Sequence, residues 1–71
     1  MSEKILAPMP GRIISIVVNE GEKVLEDSLI LVLEAMKMEN EIFCQTDATV
    51  KEILVKEGDT VKAGDVMVVM E

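Results

Sequence analysis

A chain of 71 residues, 49% of them hydrophobic, has room for one small core and one domain, read here as residues 1–71. Seven basic against 14 acidic residues give a net charge of −7, which makes phosphate backbones and anionic membranes poor partners. One cysteine and no histidine leave neither an intramolecular disulfide nor an ordinary zinc site, so stability has to come from packing.

Met1-Ser2-Glu3-Lys4 leads directly into Ile5, with no signal-peptide pattern. Together with the free Cys44, this gives the expectation of a cytoplasmic protein. The first strand is expected over Lys4 to Ala7, and Pro8 and Pro10 rule out a helix after it. Ile13 to Val18 is a β-branched run between Gly11 and Glu20-Gly21 and reads as a strand. Glu20-Gly21-Glu22 is a turn in which glycine supplies positive φ. A short strand at Lys23-Val24, a turn at Glu26-Asp27 and a long strand from Ser28 to Ala35 follow. Its apolar run, Leu29 to Leu33, is too short to cross a bilayer, so no membrane insertion is expected. Beyond the segment around Lys37, strands are expected at Glu41 to Cys44, Val50 to Val55, Thr60-Val61 and Val66 to Met70. Turns at Glu57-Gly58-Asp59 and Ala63-Gly64-Asp65 separate the last three. No window joins a helical apolar period to helix caps.

The two halves are copies. Shifted by 37 positions (21 to 58), Ile5 falls on Ile42, Ile16 on Ile53, Val18 on Val55, Glu20 on Glu57, Gly21 on Gly58, Val24 on Val61 and Glu34 on Glu71. In each copy the apolar spacing breaks strict alternation at the same place, at 13, 16, 18 and at 50, 53, 55. A break repeated in this way predicts a β-bulge that bends the strand around the core. The pattern predicts an all-β fold: a flattened barrel or sandwich of two four-stranded antiparallel sheets with an internal pseudo-two-fold axis. The long strands are apolar on both parities, so periodicity leaves their inward face open. The joint around Lys37 is the counterpart of the gap between the chain ends. Lysine and chain ends are therefore expected at opposite ends of the molecule.

Met36-Lys37 stands where a two-residue hairpin favours positive φ at both positions, a requirement normally met by Asn-Gly. A Met-Lys pair there carries strain, and such strain is more often tolerated at functional sites. An ordinary solvated lysine does not explain two flanking methionines on a turn without Gly, Pro or Ser. Met36 and Met38 are expected to be exposed rather than core gap-fillers. Read alone, Glu34 and Glu39 are compatible with solvated strand-end charges.

The string Glu34-Ala35-Met36-Lys37-Met38-Glu39-Asn40 resembles the attachment site of biotinyl domains, the biotin carboxyl carrier family. The opening Ala7-Pro8-Met9-Pro10-Gly11 and the turns at Gly21 and Gly58 extend the resemblance over essentially the whole chain. It implies that Lys37, at the tip of the hairpin, is the acceptor of covalent biotin. A biotin protein ligase would use biotinyl-AMP, forming an amide at the lysine amine and releasing AMP. An ordinary lysine has a pKa near ~10.4, so the ligase must help it lose its proton. The implied partners are this ligase, a biotin carboxylase, and a carboxyltransferase or decarboxylase subunit. The chain itself would be a non-catalytic, monomeric carrier whose tether supplies effective concentration. Glu34, Ala35, Met36, Met38 and Glu39 are the implied recognition residues.

Two alternatives stand beside this reading. Lipoyl domains share the implied fold, but their lysine is typically flanked as Asp-Lys-Ala, so Met-Lys-Met favours biotin. An unmodified β module mediating protein contacts would not need the intact Met-Lys-Met. The chain also departs from the family pattern. The family's second half usually opens with proline and ends that connection with glycine, whereas here it reads Cys44-Gln45-Thr46-Asp47-Ala48. An alanine at a position expected to require positive φ would cost stability or force another turn. Asp27 stands where the second copy has Gly64, a position Asp tolerates better than most. Cys44 is expected to be a small buried hydrophobe. A constant offset leaves no room for the protruding thumb loop of some acetyl-CoA carboxylase carriers.

Overall fold

The computed structural model describes residues 3–71. Met1 and Ser2, on which the expectation of no leader partly rests, lie outside the described residues. The strands are β1 (Glu3–Leu6), β2 (Gly11–Ile16), β3 (Lys23–Val24), β4 (Leu29–Ala35), β5 (Met38–Phe43), β6 (Ala48–Ile53), β7 (Thr60–Val61) and β8 (Val66–Met70). They form two four-stranded sheets, ordered β1-β8-β6-β3 and β5-β4-β2-β7, with every pairing antiparallel. Each sheet takes two strands from each copy. Replacing every strand by its repeat counterpart turns one order into the other.

The short strands interlock the halves. β3 pairs with β6, and β7 pairs with β2. The Gly21 N–H donates to the Val50 carbonyl, and the Gly58 N–H donates to the Ile13 carbonyl, both at 2.7 Å. The Glu57 carboxylate accepts from the Ile16 N–H at 3.0 Å, and the Glu20 carboxylate from the Ile53 N–H at 2.9 Å. Each acceptor belongs to the other copy. The anticipated bulges are present. Register shifts between Ile13 and Ser15 against β4, and between Val50 and Glu52 against β8. The glutamates bond the strand just beyond these irregularities, where the ladder has been disturbed.

The core follows the same symmetry. Ile13 and Val50, Val24 and Val61, Ile30 and Met67, Leu31 and Val68, and Leu33 and Met70 are buried counterparts. Ile30 and Leu31 are adjacent yet both buried, because a second irregularity lies between Leu29 and Leu31 in the pairing with β5. This decides the inward face that periodicity left open. Cys44 is buried, as is its counterpart Ala7, and its thiol donates to the Thr46 carbonyl at 2.8 Å.

Several expectations shift, and β2 and β6 stop at Ile16 and Ile53 rather than at Val18 and Val55. β2 and β6 begin at Gly11 and Ala48, two residues before the β-branched runs, because β7 and β3 pair with those first residues. β5 begins at Met38 rather than Glu41, because β4 pairs with Met38, Glu39 and Asn40 and carries them through the ladder. Ala48 pays no left-handed penalty, since the only non-glycine residues with positive φ among those described are Asp27, Met36 and Lys37. It lies in β6 opposite Val24. Asp27 does take the left-handed conformation, at φ 68°, matching Gly64 at 90°.

Gly21 and Gly58 have φ of 87° and 95°, and a Cβ on either would meet nothing within 4 Å. Gly→Ala at either site therefore costs only its backbone conformation, on the order of 1–2 kcal/mol. Denaturant melts should show nearly equal losses that add in the double variant. Glu20→Ala and Glu57→Ala each strip an acceptor from a strand N–H and should each cost about 1 kcal/mol. Equilibrium unfolding of both variants checks this, and a large difference between them would break the proposed equivalence of the halves.

Candidate functional site

β4 and β5 form a hairpin whose register runs from Leu29↔Phe43 to Ala35↔Met38, leaving Met36 and Lys37 as the two turn residues. Their φ angles are 54° and 65°, as a tight hairpin of this length requires. Two left-handed residues bearing a Cβ cost on the order of 2–4 kcal/mol together. The registered pairing below the turn offsets that cost. Ala35, only 5% exposed, anchors the last core-facing position.

Past Ala35 the core ends. Met36 is 92% exposed and Met38 67%, as expected of residues offered to a partner. Lys37 is exposed between them. Below the tip, Glu34 and Glu39 are directly opposite each other, and Arg12 of β2 faces Glu34 from the other side. Facing like charges disfavour the ladder. Alternation puts Glu34 on the face away from buried Leu33 and Ala35. The predicted tip residues Ala35, Met36, Lys37 and Met38 are therefore brought together. Glu34 and Glu39 form an acidic step on the outer surface behind them.

The other end of the molecule holds the terminal strands. Glu3 pairs with Met70, and its carboxylate accepts from the Thr46 hydroxyl at 3.4 Å. Thr46 follows the far end of β5, so Lys37 projects from the opposite end of the hairpin, about 20 Å along the strand.

Two residues near the tip carry roles that their sequence context only hinted at. Gly11 is not left-handed. A Cβ there would run into the Glu34 carbonyl oxygen and lie 3.1 Å from Leu33 Cδ1, so the glycine is needed for the close approach of β2 to β4. The Asn40 amide donates to the Met38 carbonyl at 3.2 Å and to the Leu33 carbonyl at 3.4 Å. Asparagine is depleted in strands, which was the available signal.

An exposed lysine thus stands at the tip of a β hairpin that joins two symmetric halves. A family model described as "Biotin-requiring enzyme" matches residues 3–70, and the chain belongs to this biotin/lipoyl attachment family. It is 52% identical to the biotin carboxyl carrier protein of Streptococcus mutans over 83% of this chain and 45% of that one. It is 49% identical to the methylmalonyl-CoA decarboxylase gamma subunit of Veillonella parvula over 72% of this chain and 40% of that one. It is 40% identical to the human mitochondrial propionyl-CoA carboxylase alpha chain over 99% of this chain and 10% of that one. The chain thus spans less than half the length of each of these relatives. Its fold superposes on the lipoyl domain of the Azotobacter vinelandii 2-oxoglutarate dehydrogenase complex with a TM-score of 0.85 and 30% identity, covering 96% of this chain and 94% of that domain. The chain is thus similar to a biotin carboxyl carrier protein, within a family described as requiring biotin.

Gly11→Ala should be costlier than Gly21→Ala, at about 2–3 kcal/mol, because backbone rather than open space receives the new methyl. Thermal or denaturant melts check the order. Chemical-shift changes should concentrate at Leu33 and Glu34.

Proposed function

We propose that Lys37 is the biotinylated residue and that the chain is a non-catalytic carrier serving the active sites of a biotin-dependent carboxylase or decarboxylase. The observation that carries this reading is the turn itself: an exposed lysine in a left-handed conformation, between two exposed methionines, at the end of a registered hairpin. The residues present fit the group. A primary amine supplies the bond, and the tip is open to solvent. When attached, biotin supplies a ureido nitrogen that carries a carboxyl group between two active sites.

The chain's own residues do the rest. β4 and β5 hold Lys37 clear of the core, so the arm can enter the active site of another protein. Met36 and Met38 offer an apolar, adaptable contact on either side of it. Glu34 and Glu39 give the outer surface below the tip a negative charge that favours a basic partner surface. Ala35 is buried and has no surface to offer; it fixes the root of the turn. A biotin protein ligase acting on the monomer would read this tip. The terminal strands, at the far end, leave it unobstructed. Similarity to a carboxylase chain and to a decarboxylase subunit supports partners of both kinds.

Against the lipoyl alternative stands the Met-Lys-Met flank, since the two kinds of domain share a fold. Against an unmodified contact module stands the strained turn that carries this lysine, with Met36 and Lys37 both left-handed.

Treatment with a biotin protein ligase, ATP and biotin should add one biotin, and peptide mapping should place it on Lys37. Lys37→Arg should accept none. Labelling at Lys23 or Lys56 instead would overturn the assignment. Because the tip is exposed, holo and apo forms should unfold within about 1 kcal/mol of each other, a small part of a domain's usual ~5–15 kcal/mol. Paired denaturant melts measure the difference. A gap of several kcal/mol would mean that the arm packs on the domain.

A further inference from the structure

We propose that Asn40 is a positioning residue for Lys37: its side-chain amide ties the two hairpin strands together beneath the turn and holds the strained tip in the conformation the ligase meets. The inference rests on the reading of Lys37 as acceptor.

Three observations converge on it. The Asn40 Nδ2 donates to Leu33 O on β4 and to Met38 O on β5, so one amide engages both arms of the hairpin within three residues of the turn. Met38 closes the turn against Ala35, and fixing its carbonyl fixes the Met38–Glu39 peptide just past the strained pair. The repeat supplies an internal comparison. The counterpart of Asn40 is Glu3, which pairs with Met70 as Asn40 pairs with Leu33. A carboxylate has no N–H to donate, and that of Glu3 accepts from Thr46 instead. No turn joins the strands there. The amide is thus present in the copy that carries the strained turn and replaced in the copy that lacks one.

The physical consequence is one of population. Met36 and Lys37 hold left-handed φ values that neither residue type favours, so a hairpin without the tie samples other tip conformations. A ligase that binds one of them then binds a smaller competent fraction, and its apparent affinity for the acceptor falls.

The test compares the full chain with Asn40→Leu, which keeps the approximate volume and loses both hydrogen bonds. With a biotin protein ligase under steady-state conditions, the variant should lose about five- to tenfold in kcat/KM, chiefly through a higher KM for the acceptor chain. Amide hydrogen exchange at Met36, Lys37 and Met38 should accelerate, while Val50 and Val68 in the core keep their rates. If Asn40→Leu does not fold, Asn40→Asp, of the same shape and without the N–H donors, takes its place in both measurements. Labelling within a factor of about two of the unaltered chain, or unchanged exchange at the tip, would overturn the proposal. So would equal acceleration at the tip and the core, which marks a general stability effect. Failure of the unaltered chain to accept biotin at all would instead remove the reading of Lys37, a distinguishable result.

Discussion

The structure depends on reciprocal strand pairing between two copies of one unit. β3 completes the sheet built on β6, and β7 completes the sheet built on β2. The turn glycines and the carboxylates of Glu20 and Glu57 close these contacts from both sides. Neither copy can satisfy its bent strand alone, because the acceptor for Ile16 is in the second half and that for Ile53 is in the first. A chain this short has little core to spend, and interlocking lets every strand serve two halves.

This frame explains how a strained turn survives. Met36 and Lys37 are left-handed without the freedom of glycine. Flexible turn residues would relieve the strain and leave the lysine poorly placed. The pairing of β4 with β5, the buried Ala35, and β2 pressed close through Gly11 hold it instead. The cost in stability fixes where the amine is presented.

Similarity to a lipoyl domain as well as to biotin carriers separates scaffold from specificity. One scaffold serves both prosthetic groups, so discrimination has to lie in side chains that the scaffold leaves exposed. On the proposed reading these are Met36 and Met38 at the tip, with Glu39 and the half-buried Glu34 opposed behind it. An acidic pair facing across a ladder makes little sense as a stabilising device. On the proposed reading it is a surface that another protein reads.

What the sequence alone determined was local or repeated. The offset of 37, seen from Gly21 to Gly58, gave the two-fold frame, and the doubled break in alternation gave the bulges. The two-residue joint gave the left-handed lysine, since hairpin geometry depends on the turn residues themselves. The burial of Cys44 and the exposure of the methionines followed from the same pattern. Tertiary structure alone decided the rest. The inward face of β4 depends on an irregularity in its pairing with β5. The starts of β2 and β6 depend on the short strands from the other copy. The carboxylates of Glu20 and Glu57 meet partners 33 and 41 positions away, which no local pattern encodes. Ala48 is unstrained because its counterpart Gly11 is required for space against Glu34 rather than for positive φ. The work of Asn40 appears only once β4 lies beside β5, because its acceptors are backbone carbonyls whose positions the folded hairpin sets.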